Sequence, residues 1–254
     1  GTDGTKTVTV DADADTGTAG AITIADGGAV AGDLIVGNIE SNVTIANDFT
    51  GTGDITLSTA DASMTLALGT TTTGTRTVNA STSGDGETVV ITGSDTLSLV
   101  SADADINAAT YAGAVNAEFT NAADATFQMG TGATSVAVKG TSGAKAVTID
   151  ADAGLATAGT LSIADGGAVA GDITVTGLES GIAISDSFTG TGDISITVGA
   201  DSQTVALGAS TTGTRTVNGN AVADTKVLTM TGADAASVSL ITGDLNATAY
   251  TGAL

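Results

Sequence analysis

Leu34-Ile35-Val36, Ile55-Thr56-Leu57, Arg76-Thr77-Val78 and Leu97-Ser98-Leu99 recur at a fixed spacing of 21, and this spacing decides the fold. A second ladder, Ile22-Thr23-Ile24, Val43-Thr44-Ile45 and Met64-Thr65-Leu66, runs between them at the same spacing. Apolar residues that alternate with Thr and Ser over so few positions read as short, half-buried strands. Gly32, Gly53 and Gly74 sit just before the strands of the first ladder. A weaker third position holds Ala29-Val30-Ala31, Thr50-Gly51-Thr52 and Thr71-Thr72-Thr73. Two interleaved ladders at one period mean that each unit makes at least two short strands, separated by Gly, Asp and Asn corners. The pattern predicts an all-β chain, a parallel β-helix (β-solenoid) with coils of about 20–21 residues. One coil cannot bury its own apolar face, so stacking builds the core. At a rise of about 4.8 Å per coil, twelve coils give a rod of about 58 Å.

A longer repeat contains the shorter one. Ile24-Ala25-Asp26-Gly27-Gly28-Ala29-Val30-Ala31-Gly32-Asp33 recurs as residues 163–172, and Thr72-Thr73-Gly74-Thr75-Arg76-Thr77-Val78-Asn79 as residues 211–218. The offset is 139 throughout, without a gap, and about half of the aligned residues are identical. The chain therefore divides into a first superrepeat, 1–139, and a second, 140–254, that stops opposite Val115; together they form one continuous solenoid. A whole number of coils per superrepeat is expected, and seven coils, on average slightly shorter than the main period, fit best. The stretch Ser81–Glu87 interrupts the even ladder, so the register beyond Asn79 is open. The competing architecture, a string of β-sandwich domains one superrepeat long, requires neither the short period nor the glycine ladder.

Composition narrows the functions. The 254 residues include no Cys, His, Pro or Trp, and the formal net charge is −22. There is no disulfide framework, thiolate zinc site, Cys nucleophile or His base. Six basic residues against 28 acidic ones exclude a nucleic-acid groove. No apolar run is long enough to insert in a membrane as a helix. High charge favours disorder, but 41% hydrophobic residues give surface to bury, so a folded chain is expected.

The acidic residues fall in rows. Asp33 and Asp54, and again Asp172 and Asp193, stand one period apart just before a strand. Asp26 and Asp165 stack on Asn47 and Asp186, and the alternating cluster Asp11, Asp13 and Asp15 is kept in the second copy as Asp150 and Asp152. Carboxylates about 4.8 Å apart repel by roughly 1 kcal/mol in water. A bridging calcium ion, which takes oxygen ligands in irregular geometry, would remove that cost, and Asp11, Asp13, Asp26, Asp33, Asp54, Asp150, Asp152, Asp165, Asp172 and Asp193 are its ten candidate ligands. The alternative is that they are solvated turn formers. Arg76 and Arg215, the only arginines, occupy equivalent positions and are expected to form structural ion pairs with Asp54 and Asp193 one coil away. Phe49/Phe188 and Tyr111/Tyr250 recur as packing residues. Glu40/Glu179 and Asp105/Asp244 recur as carboxylates, but without aromatic subsites or long loops they do not make a glycosidase. The chain reads as not an enzyme.

The repeat units Ile-Ala-Asp-Gly-Gly-Ala-Val-Ala-Gly-Asp and Phe-Thr-Gly-Thr-Gly-Asp-Ile resemble those of large secreted bacterial surface proteins: giant repetitive adhesins, filament-forming proteins and S-layer proteins, many exported by type I systems. The resemblance is compositional and covers the whole chain. It implies an extracellular, cell-surface location, a mechanical or adhesive role and calcium dependence, although the calcium-binding nonapeptides of many such proteins are absent. The expected function is a structural segment, a stiff acidic rod that self-associates with further repeats or copies. The alternative is a ligand-binding solenoid for ice or surface polysaccharide. The Thr50-Gly51-Thr52 and Thr71-Thr72-Thr73 rows resemble the Thr arrays of ice-binding solenoids.

Overall fold

The computed structural model describes residues 7–13, 20–25, 32–47, 52–70, 75–83, 86–120, 124–138, 146–152, 159–164, 172–186, 188, 190–209, 213–240 and 242–254. In chain order the strands are β1 (Val8–Asp11), β2 (Ile22–Ile24), β3 (Leu34–Ile39), β4 (Val43–Ile45), β5 (Ile55–Thr59), β6 (Met64–Ala67), β7 (Arg76–Asn79), β8 (Thr88–Thr92), β9 (Leu97–Ala102), β10 (Asp105–Asn107), β11 (Val115–Phe119) and β12 (Ala125–Gln128). They continue as β13 (Thr134–Val138), β14 (Val147–Asp150), β15 (Leu161–Ala164), β16 (Ile173–Leu178), β17 (Ile182–Ile184), β18 (Ile194–Val198), β19 (Gln203–Leu207), β20 (Arg215–Asn218), β21 (Val227–Gly232), β22 (Ser237–Ser239) and β23 (Asp244–Tyr250). The odd strands form one 12-stranded sheet and the even strands an 11-stranded sheet, each in chain order. The pairing within each is parallel, as in β3 with β5 and β4 with β6. The chain thus climbs as a parallel β-solenoid, laying one strand in each sheet per turn. At the usual strand spacing the odd sheet is about 53 Å tall.

Alternation makes this work. Along β5 the residues run buried, half-buried, buried, half-buried, buried. The inward side chains of both sheets, among them Leu57, Val78, Val89, Ile91, Leu97 and Leu99, merge into one core. Each buried aliphatic side chain contributes about 1.5–3 kcal/mol by leaving water. Phe119 and Phe127 meet near mid-rod with ring centroids 5.8 Å apart and planes tilted by 56°. Both lie in the stretch that has no second copy in the chain.

The strands hold register while the corners absorb changes in length. Leu34 pairs with Ile55 and Ile55 with Arg76, each one full period further along the chain. Val227, however, pairs with Asp244 after a markedly shorter coil, and Thr134 with Leu161 after a markedly longer one. The even ladder also survives the Ser81–Glu87 stretch. Thr82 Oγ1 donates to the Thr59 carbonyl, Ser83 Oγ to the Ala60 carbonyl and Ser63 Oγ to Glu87, so this longer corner is fastened to the coil before it. Stacked corners leave no room for side chains in places. A Cβ on Gly132 would collide with the Gly113 carbonyl oxygen.

One expectation fails here. Leu34 lies on β3, in the odd sheet, but its equivalent Ile173 lies on β16, in the even sheet. β5 and β18, and β7 and β20, are related in the same way. Equivalent positions are thirteen strands apart, so the superrepeat spans six and a half turns instead of seven. An odd number is permitted because the two sheets ask the same of a strand: apolar residues inward at every second position. The third ladder position falls almost wholly outside the described residues, and each turn of the described structure uses two strands.

Candidate functional site

The acidic rows are built into the corners. Before β3, β5, β16 and β18 stands an exposed aspartate whose carboxylate accepts a backbone N–H from the coil above. Asp33 Oδ1 accepts from Asp54 N at 3.1 Å, and Asp54 Oδ1 from Thr75 N at 2.8 Å. In the second superrepeat Asp172 accepts from Asp193 N at 3.0 Å and Asp193 from Thr214 N at 2.7 Å. Asp105 and Asp124 do the same for Thr126 N and Ala146 N. These residues extend the ladder one step beyond the strand, where the amide would otherwise need water. Thr214 also donates its hydroxyl to Asp193, and these two bonds hold that carboxyl below its ordinary value.

A second device closes the far end of the strand. Asp11 accepts the N–H of Asp13 at 3.3 Å, and Asp150 that of Asp152 at 3.2 Å. Asn79, Asn107 and Asn218 make the same bond to the amide two positions on at the ends of β7, β10 and β20, and Asn246 makes it within β23. This is the Asx turn, by which a short polar side chain bends the backbone away from the strand. Asn38 Nδ2 also donates to Asp11 Oδ1 at 3.0 Å, and this bond is the main cause of the lowered Asp11 pKa. Of the ten predicted calcium ligands, Asp26 and Asp165 lie outside the described residues. The other eight serve as ladder extensions or within these turns. Among the described residues no three His, Cys, Asp or Glu side chains gather into a group that could hold a metal ion.

Both arginines are buried and ion-paired. Arg76 opens β7 with its side chain inward and is 1% exposed, stacked between Ile55 and Leu97. Its Nε lies 3.5 Å from Asp95 Oδ2, and Tyr111 Oη donates to the Asp95 carbonyl at 2.5 Å. The second superrepeat repeats the cluster: Arg215 Nε lies 3.8 Å from Asp234 Oδ2, and Tyr250 donates to the Asp234 carbonyl. Phe188 adds a ring whose centroid is 5.6 Å from the Arg215 guanidinium carbon. Phe49 lies outside the described residues. The ion pair seen for each arginine is thus with Asp95 or Asp234, from the coil above, while Asp54 and Asp193 also act on Arg76 and Arg215 electrostatically. Asp54 and Asp193 point outward at the corner and are bonded to amides, whereas Asp95 and Asp234 are nearly buried. Burial lowers the arginine pKa values, opposed first by these carboxylates. Burial also raises the Tyr111 pKa. Arg76 stands in a column of Ile and Leu in the first ladder, and that column was the signal that its side chain points inward.

The outer faces carry rows of short polar side chains, mostly hydroxyls. On the odd sheet Thr56, Thr77, Ser98, Asn116, Ser135 and Ser162 follow one another in register. On the even sheet Thr126, Thr148, Thr174, Ser195, Thr216 and Ser237 do so. Sequence reasoning placed the Thr rows at positions 50–52 and 71–73, most of which are outside the described residues; the rows seen here run along the centres of the strands. No described helix is long and apolar enough to cross a membrane.

No protein-family model, curated protein sequence or solved structure matches this chain.

Proposed function

We propose that the chain is a structural segment of an extracellular bacterial surface or filament protein, a stiff acidic rod. The observation that carries this reading is where its polar groups are spent. The ladder aspartates, the Asx corners and the Arg–Asp–Tyr clusters bind one coil to the next or shape the corner between them. A solenoid whose chemistry is directed along its axis is suited to holding a shape over distance. The resemblance of its repeat units to secreted surface proteins supports the location, and the thiol-free composition suits export. Electron microscopy of native material labelled with an antibody to this region tests the reading. Filaments, fibrils or a surface lattice containing the label support it. Label confined to the cell interior, or to dispersed globular particles, overturns it.

A second reading is a binding solenoid for ice or polysaccharide, favoured by the hydroxyl rows on both sheets. Thermal hysteresis or a positive glycan array at micromolar protein would favour it over a purely structural role.

A further inference from the structure

We propose that Asn218 is a site of spontaneous covalent change, a rearrangement of the backbone through a cyclic imide, and that the stacking of the next coil sets its rate. Asn218-Gly219 is the one Asn-Gly pair in the sequence. The ring forms when the backbone nitrogen of the following residue attacks the side-chain carbonyl carbon of the asparagine. A side chain on that following residue obstructs the approach, and glycine has none. The corner does not itself demand glycine. Gly219 does not adopt a positive φ, and the equivalent pair in the first superrepeat is Asn79-Ala80. Asn79, Asn107 and Asn246 accept the N–H two positions on just as Asn218 does, but alanine follows each of them. The chain therefore holds one reactive pair and three controls that make the same local bond.

The folded coil restrains both reacting groups. Gly219 N donates to the Ser239 carbonyl on β22 at 2.7 Å. Asn218 Oδ1 accepts from Asn220 N at 3.1 Å and from Ser239 Oγ at 3.5 Å. Attack requires the ladder bond to Ser239 to break and the Asx turn to open. The cover is thin, because the three residues of β22 run exposed, half-buried, exposed, and segments with few buried apolar contacts open most readily. Once the coil opens, Gly219 N bonds to Asn218 Cγ, the Cγ–Nδ2 bond breaks, and the side-chain nitrogen leaves as ammonia with the proton from Gly219 N. Water, the only co-reactant, then opens the ring at either carbonyl. One product is an ordinary aspartate, which the corner accepts: Asp11 and Asp150 hold the same turn with a carboxylate. The other is an isoaspartate, which routes the main chain through the former side chain and lengthens it by one methylene. That added atom shifts the Gly219 N–H out of register with Ser239, so the coil cannot reseal as before. Either product adds one negative charge to the corner.

The full chain is incubated at mildly alkaline pH, folded and in denaturant, and mapped by mass spectrometry with electron-transfer fragmentation, which separates aspartate from isoaspartate. In denaturant Asn218 is expected to convert about tenfold faster than Asn79, Asn107 and Asn246, equivalent to a barrier lower by about 1.4 kcal/mol. In the folded chain it is still the first of the four to convert, at a rate at least about tenfold below its rate in denaturant. Gly219→Ala removes its lead in denaturant. In the folded variant the new Cβ meets Leu240 Cδ1 at 3.0 Å, Leu228 Cδ2 at 3.1 Å and the Ser239 carbonyl oxygen at 3.1 Å, so circular dichroism checks folding. Ala80→Gly is the reciprocal variant. Asn79 then matches Asn218 in denaturant but lags behind it in the folded chain, because β9, whose Val100 carbonyl accepts from residue 80, buries Leu97, Leu99 and Ala102. Equal rates at all four asparagines in denaturant, or a control that converts ahead of Asn218 in the folded chain, overturn the site. Equal rates at Asn218 in the folded and denatured chain, or an Ala80→Gly chain in which folded Asn79 keeps pace with Asn218, overturn the control by stacking.

Discussion

Asp95→Asn tests the buried clusters directly. It removes the carboxylate 3.5 Å from Arg76 Nε and nearly preserves side-chain volume. Arg76 is 1% exposed, so water cannot replace the lost partner without opening the coil. Stripping one member from a buried ion pair costs about 3–5 kcal/mol. The long Nε–Oδ2 separation places this pair at the lower end, about 3 kcal/mol, or about 6–12 °C of melting temperature for a chain of this size. Arg76→Leu is expected to be milder, because leucine continues the column of Ile55 and Leu97. The double variant Arg76→Leu/Asp95→Asn should be more stable than Asp95→Asn alone, since a buried pair exchanged for apolar packing is often neutral or favourable. Denaturant unfolding followed by circular dichroism gives the cycle. Hydrogen exchange on β7 and β9 shows whether the loss is local, as nearest-neighbour coupling in a solenoid predicts. An Asp95→Asn variant within about 0.5 kcal/mol of the unmodified chain, the scatter of ordinary surface substitutions, would refute the buried charge.

Gly132→Ala forces a Cβ against the Gly113 carbonyl and should cost about 1–3 kcal/mol, as overpacking does, while Gly20→Ala, with nothing within 4 Å, should be near neutral in the same denaturation assay. Ultraviolet titration reads the two tyrosines, both of which are raised above the ordinary value of 10.0; Tyr111 should stay neutral well past that pH. A folded-state value above the unfolded one means the contribution is present below pH 10 and is lost as pH rises further, so alkaline melting temperatures should fall, and Tyr111 ionising normally in the folded chain would contradict its burial. Asp11 and Asp193 are lowered below 3.8, so their contribution is present above that pH and is lost as the solution is acidified through their folded-state values; melting curves that are flat from pH 5 to pH 2 would count against the corner bonds. Calcium dependence is tested by melting with millimolar calcium against sodium chloride of equal ionic strength: a larger rise with calcium supports the expectation, and superimposable curves remove it.

The ladders of Leu34, Ile55, Arg76 and Leu97 and of Ile22, Val43 and Met64 were legible because successive coils keep one period. They predicted the strands, their parallel stacking and the mixing of Val, Ile and Leu in one core. The half-turn superrepeat was not legible, because coil lengths scatter around that period, short after Leu97 and Val115 and long after Val8 and Thr134, where no repeated strand marks the length. Counting strands there needs the corners, and corners vary freely once the strands are in register. The roles of the corner aspartates were half-visible. Their rows stood out, but spacing alone does not say whether a carboxylate meets a neighbouring carboxylate, a cation or an amide. The Asx corners have a plainer signal, Asp or Asn closing an alternating strand, as in Thr7-Val8-Thr9-Val10-Asp11 and Arg76-Thr77-Val78-Asn79. Asp95 was hidden as the partner of Arg76 because its place in the chain falls off the main period.

Uneven coils over an even ladder have a mechanical consequence. The backbone hydrogen bonds run along the rod, so tension on its two ends pulls coils apart one at a time. Releasing the short coil between Val227 and Asp244 lengthens the chain by up to about 60 Å, and releasing the long one between Thr134 and Leu161 by up to about 95 Å. A rod that keeps its shape at rest would therefore yield under load in discrete steps of unequal length, absorbing work coil by coil and rewinding when slack returns.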